Sequence, residues 1–320
     1  MSNLILSESK EIRTFEDIDV KAREFIENSK AKNTVKSYQA DWQHFTHWCE
    51  EHQVNALPST AKTVARYLVD IQSDYKVSSL QRRLAAINAA HRSVGFEVFS
   101  TRLEPLHSIW SGITRTKGMK QNKKAPALTA DIRAMVDTLD GRLIGIRDRA
   151  LLLLGFAGAL RRSELAALNV EDVEIRPQGL LVTIQKSKTD QAGEGQVIGI
   201  PYGSTYETCP VRAMQAWLEV SSLSKGALFR SIDRHGNIRG RIVDKTVARI
   251  VKRCAEKAGL DAELYAGHSL RAGLATSAAL AGESLTDVMR QTRHKSERVA
   301  RGYVRVADAF KNNVAARTGL

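Results

Sequence analysis

TRHKSERVARGYVRV, residues 292–306, sets a tyrosine nine residues after a histidine in a run dense with arginine and lysine. A run of this kind, taken alone, is a solvated helix face with an aromatic anchor. Whether Tyr303 is that anchor or a reactive group is decided by the rest of the chain.

Upstream, GHSLRAG (267–273) places His268 and Arg271 one helical turn apart, on the same face. Further upstream, GALRRSELAAL (158–168) puts Arg161 at the C-terminal end of an apolar helix, where a lone arginine would do no more than offset the helix dipole. Glu164, three residues on, is read as a helix cap or an ion-pair partner. Lys186 and Lys188 flank the end of a strand that runs into a glycine-rich turn, a common place for solubilising lysines. GxxxxGK[ST], HExxH and GxSxG are all absent, and the carboxylates do not pair at a telling spacing.

The candidate set is therefore cationic, and it is chemically coherent. A tyrosine with a pKa of about 10 needs activation before it can act as a nucleophile, and its phenolate is an adequate leaving group in the reverse step. Attack on a phosphodiester adds negative charge to the nonbridging oxygens. Two always-protonated guanidinium forks, Arg161 and Arg271, can clamp those oxygens, a role otherwise taken by a divalent metal. His294 would add a hydrogen bond to the same oxygens, and His268 would serve as acid-base partner or orienter.

Along the chain, residues 1–15 show no periodicity and read as a flexible arm. With Asn33 as N-cap, Val35, Tyr38, Trp42, Phe45 and Trp48 recur at helical spacing. Helices after Pro58, over SSLQRRLAAINAAHRSVG and near PLHSIWSGITR complete an all-helical domain, 16–118. A basic linker, 119–126, lies in RTKGMKQNKKAP (115–126), which is either simply solvated or laid along a phosphate backbone. The second domain, 127–320, opens with LTADIRAMVDTL and the core helix DRALLLLGFAGAL. NVEDVEI, GLLVTIQKSKT and GQVIGIP then predict a small three-stranded antiparallel sheet, and helices resume from CPVRAMQAWLEVS onward. The predicted fold class is mainly α: a helical domain followed by a mostly helical α/β domain.

With 320 residues and 43% hydrophobic content, two cores can be filled. The formal charge is +13, about +5 before residue 125 and about +8 after it, so both domains are basic and a polyanion touching both is indicated. No apolar run reaches the length of a membrane span, and MSNLILSESKEIRTFED lacks a signal-peptide layout, so a cytoplasmic protein without membrane attachment is expected. Cys49, Cys209 and Cys254 lack zinc or disulfide spacing, and His44, His47 and His52 near Cys49 fall within a helical stripe. No metal or cofactor is expected. Lys36, Arg82, Arg83, Arg92, Arg115, Lys117, Lys120, Lys123, Lys124 and Arg293 are the candidates for DNA contact.

Arg161, Lys188, His268, Arg271, His294 and Tyr303, in that order, with the LRRSEL and HSLRAGLAT boxes, resemble the tyrosine recombinase family of phage-type integrases. More loosely, NTVKSYQADWQHFTHWC resembles the start of that family's helical core-binding domain. The resemblance implies a bacterial or mobile-element-encoded, nucleoid-associated enzyme. Such an enzyme forms a 3'-phosphotyrosine at Tyr303 and exchanges strands between two duplex sites, without metal or ATP. Lys188, or its rival Lys186, would protonate the departing 5'-hydroxyl, and Glu164 would support the site. The tail, with Val306, Ala309, Phe310 and Val314, would dock as a helix into a neighbour within a tetramer, and accessory DNA-bending or host factors would assist.

Two departures stand out. The family's Leu-Gly-His box reads Gln-Thr-Arg-His here, so the approach of His294 should differ, and Arg162 leaves the first arginine ambiguous by one position. A type IB topoisomerase-like relaxase and a catalytically silent DNA-binding regulator remain as alternatives. If many phosphates are contacted, released counterions make DNA affinity fall steeply between about 50 and 200 mM salt. A flat titration of binding against salt over that range would count against a DNA-gripping protein.

Overall fold

A computed structural model of the chain describes residues 32–118, 124–185, 195–294 and 296–308. Contacts divide the chain into two compact units, Met1–Gln121 and Asn122–Leu320. The arm at 1–15, Lys120, Lys123, Lys186, Lys188 and the tail beyond residue 308 lie outside the described residues.

The first unit is helical: α1 (Lys32–Glu51), α2 (Ala61–Ile71), α3 (Val77–Ser93) and α4 (Leu106–Lys117). Asn33, expected to cap α1, lies inside it. The apolar stripes converge as the spacing predicts, with Phe45, Trp48, Tyr67, Leu68, Leu80, Ile87 and Leu106 buried together. Thr60 caps α2 by accepting the Thr63 amide. At the end of α3, Gly95 takes φ 78, which lets the Phe96 amide turn back to the His91 carbonyl.

One candidate for DNA contact in this unit is a core residue. Arg83 is 5% exposed: it donates to the Tyr67 hydroxyl at 3.0 Å, lies over the Tyr75 ring and approaches the Asp41 carboxylate. Arg82, Lys36, Arg92 and Arg115 are exposed, though Arg82 also forks onto Asp41. Lys117 donates to the Gln72 and Ser73 carbonyls at the end of α2. His44 bonds Tyr67 and His52 stacks on Trp48, so these two serve packing, while His47 is exposed beside Glu50 and Glu51.

In the second unit α5 (Thr129–Asp137) leads to α6 (Leu143–Ala157), whose residues Ala150–Leu154 are all buried. Then come α7 (Arg162–Ala167), a 3₁₀ turn at 170–172, and the antiparallel sheet β1 (Val173–Arg176), β2 (Gly179–Ile184) and β3 (Gln196–Pro201), in that order. Leu180, Val182 and Ile184 on β2, with Ile198 and Ile200 on β3, face the core, as the alternation predicts. α8 (Pro210–Ser221) buries Trp217, whose indole N–H donates to the Leu228 carbonyl.

A second sheet, β4 (Arg230–Ile232) with β5 (Ile238–Arg241), was not expected. Its strands are short and mostly polar, with Ile232 and Ile238 the only apolar side chains in them, so no apolar alternation signals a strand. Its turn is set by Asp233, whose carboxylate accepts from the His235 and Asn237 amides and from Arg239 and is held well below the usual carboxylate range by those bonds. Helices α9 (Asp244–Lys257), α10 (Ser269–Ala281), α11 (Leu285–Thr292) and α12 (Glu297–Asp308) complete the unit. Lys124 donates to the Glu263 carbonyl. No helix among the described residues is long and apolar enough to cross a membrane.

The placing of α10 depends on Gly273. The segment after residue 124 runs against this helix, the Ala127 amide donating to the Ser269 carbonyl, and a Cβ on Gly273 would sit 1.8 Å from the Ala127 oxygen. Both atoms are backbone, so neither can yield cheaply. Gly273→Ala is expected to lower the unfolding free energy of this unit by about 2 kcal/mol. Gly112→Ala, in α4 where a Cβ meets nothing within 4 Å, should raise that of the first unit by up to about 1 kcal/mol. Calorimetric melting of the two variants checks both signs.

Candidate active site

The apolar helix α6 ends at Ala157, so Arg161 does not close it, as its sequence position implied; it is the N-cap residue of α7. The turn between them contains Ala159 at φ 45, a left-handed conformation that costs an alanine roughly 1–2 kcal/mol. Glu164 stands three residues into the cap. Its Oε2 accepts the Arg161 amide at 2.9 Å and its Oε1 accepts Arg161 Nη1 at 2.5 Å. That carboxylate is 1% exposed.

Arg271, in the first turn of α10, is 1% exposed and donates through Nη1 to the Ala159 carbonyl at 2.8 Å. Its Nη2 is buried and makes no hydrogen bond among the described residues. Burial, reinforced by the charges of Arg161 and Arg293, lowers its pKa to about 10, so it remains a cation at neutral pH.

His268 is the N-cap residue of α10 and is exposed. Its Nε2 lies 3.0 Å from the Tyr303 hydroxyl, which α12 presents. Burial raises the Tyr303 pKa, while Arg271 and Arg161 pull it down. Because burial dominates, the phenol is protonated at neutral pH, and the imidazole beside it can take the proton.

His294 stacks against Tyr303, with ring centroids 5.6 Å apart. Its Nδ1 lies 2.7 Å from the Thr292 hydroxyl, which itself donates to the Val288 carbonyl. With its single proton so used, the hydroxyl can only accept from the imidazole. This fixes the proton on Nδ1 and leaves Nε2 as the free position. Burial, then the charges of Arg271 and Arg161, push the His294 pKa down to about 4.

Arg293 was expected to contact DNA, but it points inward. Its side chain is 6% exposed and donates to Glu164 Oε2 at 2.9 Å. Arg161, His268, Arg271, His294 and Tyr303 thus converge with Glu164 in one site. Thr292 and the carbonyls of Gly158 and Ala159 were not anticipated, because a hydroxyl two residues before a histidine and a pair of backbone oxygens leave no sequence signal. Among the described residues no group of three His, Cys, Asp or Glu side chains could hold a metal ion.

The profile of the phage integrase family matches residues 128–309, and that of the phage integrase N-terminal SAM-like domain matches residues 24–93. An integrase/recombinase XerD homolog of Selenomonas ruminantium is 41% identical over 322 residues, covering 98% of this chain and 94% of that protein. A tyrosine recombinase XerD of Yersinia pestis is 25% identical, covering 88% of this chain and 90% of that protein. The folds of the Tn1549 transposon integrase in complex with transposon right end DNA and of a lambda integrase dimer bound to a COC' core site are similar. Their TM-scores are 0.61 and 0.58, at 14% and 16% identity, covering 93% and 94% of this chain and 96% and 97% of those chains.

The depressed pKa of His294 ties stability to pH. Between about pH 4 and the ordinary histidine value of 6.5, the unfolded chain binds a proton at this position that the folded chain does not. Stability contributed by the neutral ring is therefore present above pH 6.5 and is lost as pH falls through that window. His294→Gln should reduce the drop in melting temperature between pH 7 and pH 4.5, measured by calorimetry alongside the unsubstituted chain.

Proposed function

The chain belongs to the phage integrase family and is a tyrosine-type site-specific DNA recombinase, and on that premise we propose that it breaks and rejoins duplex DNA through a covalent bond to Tyr303. The observation that carries this reading is the Tyr303 hydroxyl held 3.0 Å from His268 Nε2, in one site with the buried Arg271 and the part-buried Arg161.

In the first step the Tyr303 oxygen attacks the scissile phosphorus and its proton passes to His268 Nε2. The bond from phosphorus to the 5'-oxygen breaks, and that oxygen takes a proton from Lys188, with Lys186 the alternative; their place after β2 and the family motif support this assignment. The products are a 3'-phosphotyrosine and a free 5'-hydroxyl. The 5'-hydroxyl of another strand then attacks the same phosphorus and expels Tyr303, so the ester is conserved and neither ATP nor a redox partner is consumed.

Arg161 and Arg271 supply fixed positive charge where the pentavalent phosphorus gathers negative charge, with Arg271 Nη2 the free donor. Because two guanidiniums take the role of a divalent ion, the reaction should proceed in EDTA. His294, neutral in the free protein, gains a proton at Nε2 as the phosphate's charge enters the site and then donates to a nonbridging oxygen.

Lys36, Arg82, Arg92 and Arg115 are exposed on the helical unit, which would bind DNA by phosphate contacts. A tetrameric synapse, with the segment after residue 308 exchanged between protomers, completes the proposal.

The test is covalent trapping: supercoiled plasmid carrying the native flanking DNA is incubated with protein in EDTA and quenched with SDS. The unsubstituted chain should yield an adduct that Tyr303→Phe abolishes and Arg271→Ala reduces by at least about 100-fold. Recombinant joints that require two sites separate a recombinase from a relaxase. Tight binding with no adduct would leave a catalytically silent DNA-binding protein.

A further inference from the structure

The residue before His294 is the C-cap of α11, and its backbone is left-handed, φ 55 and ψ 43. Glycine adopts this conformation without strain, and the box of the family usually has glycine here. An arginine is disfavoured there unless its side chain makes compensating bonds. Arg293 makes four within the site. Nη2 donates to Glu164 Oε2 at 2.9 Å and to the Ala159 carbonyl at 3.2 Å, and Nη1 donates to the Gly158 carbonyl at 3.0 Å and to the Gln291 carbonyl at 3.4 Å.

Two of these acceptors are shared with the cations assigned to the phosphate. Glu164 is the carboxylate that holds Arg161, and the Ala159 oxygen is the acceptor of Arg271 Nη1. Ala159 is itself left-handed, at φ 45, so its carbonyl is aimed by a turn that also needs external support. With its side chain 6% exposed, Arg293 has no route to DNA and acts through its neighbours.

We infer that Arg293 is a positioning residue for strand cleavage: it ties the turn at 158–159 and the Glu164 carboxylate to the end of α11, presetting Arg161, Arg271 and His294 before DNA arrives. This rests on the reading of Arg161 and Arg271 as the phosphate clamp.

Arg293→Gly removes the guanidinium yet suits the left-handed backbone, so the variant should fold. In single-turnover trapping on the same plasmid, its cleavage rate is expected to fall about 10- to 100-fold with DNA affinity unchanged. Arg293→Lys should recover part of the rate. Glu164→Gln should cost much less in the Arg293→Gly background than in the unsubstituted chain, because the two act as one unit.

A second readout needs no catalysis. The Arg161 amide donates to Glu164, so its hydrogen exchange should quicken by roughly tenfold in Arg293→Gly, while amides of the α8 core keep their protection. Cleavage at the unsubstituted rate, an equal loss of affinity and rate, or unchanged exchange at Arg161 would each overturn the inference. If the unsubstituted chain forms no adduct, the Tyr303 reading falls, and the exchange measurement alone decides Arg293.

Discussion

The Glu164 carboxylate is bonded into a pocket where the guanidiniums of Arg161, Arg271 and Arg293 gather, and at 1% exposure it has almost no water to share its charge with. It bonds directly to two of the three. Removing one partner of such a buried ion pair leaves uncompensated charge and typically costs on the order of 3–5 kcal/mol. Among the described groups the pocket nonetheless carries excess positive charge, which adds to burial in lowering the pKa values of Arg271 and His294. A phosphodiester entering there would relieve this repulsion, so the feature that burdens the free protein favours its substrate.

The same field acts on Tyr303. Tyr303 is buried enough to hold its proton, and the arginines offset only part of that. In the proposed reaction such a hydroxyl, with an imidazole 3.0 Å away to receive its proton, would stay neutral until a phosphate is in place and so be protected from premature reaction. The scaffold supports this with rigid helix starts: His268 and Arg271 open α10, Arg161 and Glu164 open α7, and Gly273 sets α10 against the segment at Ala127. Side chains at helix starts are placed by backbone hydrogen bonds, which is more precise than placement on a free loop.

In the helical unit the same arithmetic of buried charge separates two adjacent arginines. Asp41 is 3% exposed and takes both Nε and Nη2 of Arg82, while Arg83 turns inward to Tyr67 and Tyr75. Adjacent helical positions lie 100° apart, so the two arginines meet different surroundings, and charge alone does not say which turns inward. The partners that decide it are Asp41 on α1, Tyr67 on α2 and Tyr75 in the turn after α2, none of them in the same helix.

The sequence by itself determined the classes of structure and most of the groups that meet in the candidate site. Helical stripes at Phe45, Trp48, Tyr67 and Leu68, the β-branched alternation of β2 and β3, and the order Arg161, His268, Arg271, His294, Tyr303 are local patterns. Local patterns survive because side-chain spacing within one element fixes which face it presents. Tertiary structure alone decided the rest: that Arg293 and Arg83 are interior, that Glu164 serves two arginines, that Thr292 assigns the proton on His294, and that the polar ribbon β4–β5 pairs at all. Arg293, Arg83 and Glu164 depend on partners close in space but outside their own sequence windows, His294 on a hydrogen-bond direction, and the ribbon on a turn whose short strands carry no alternation. The free energy of a charge or a proton is set by what surrounds it after folding.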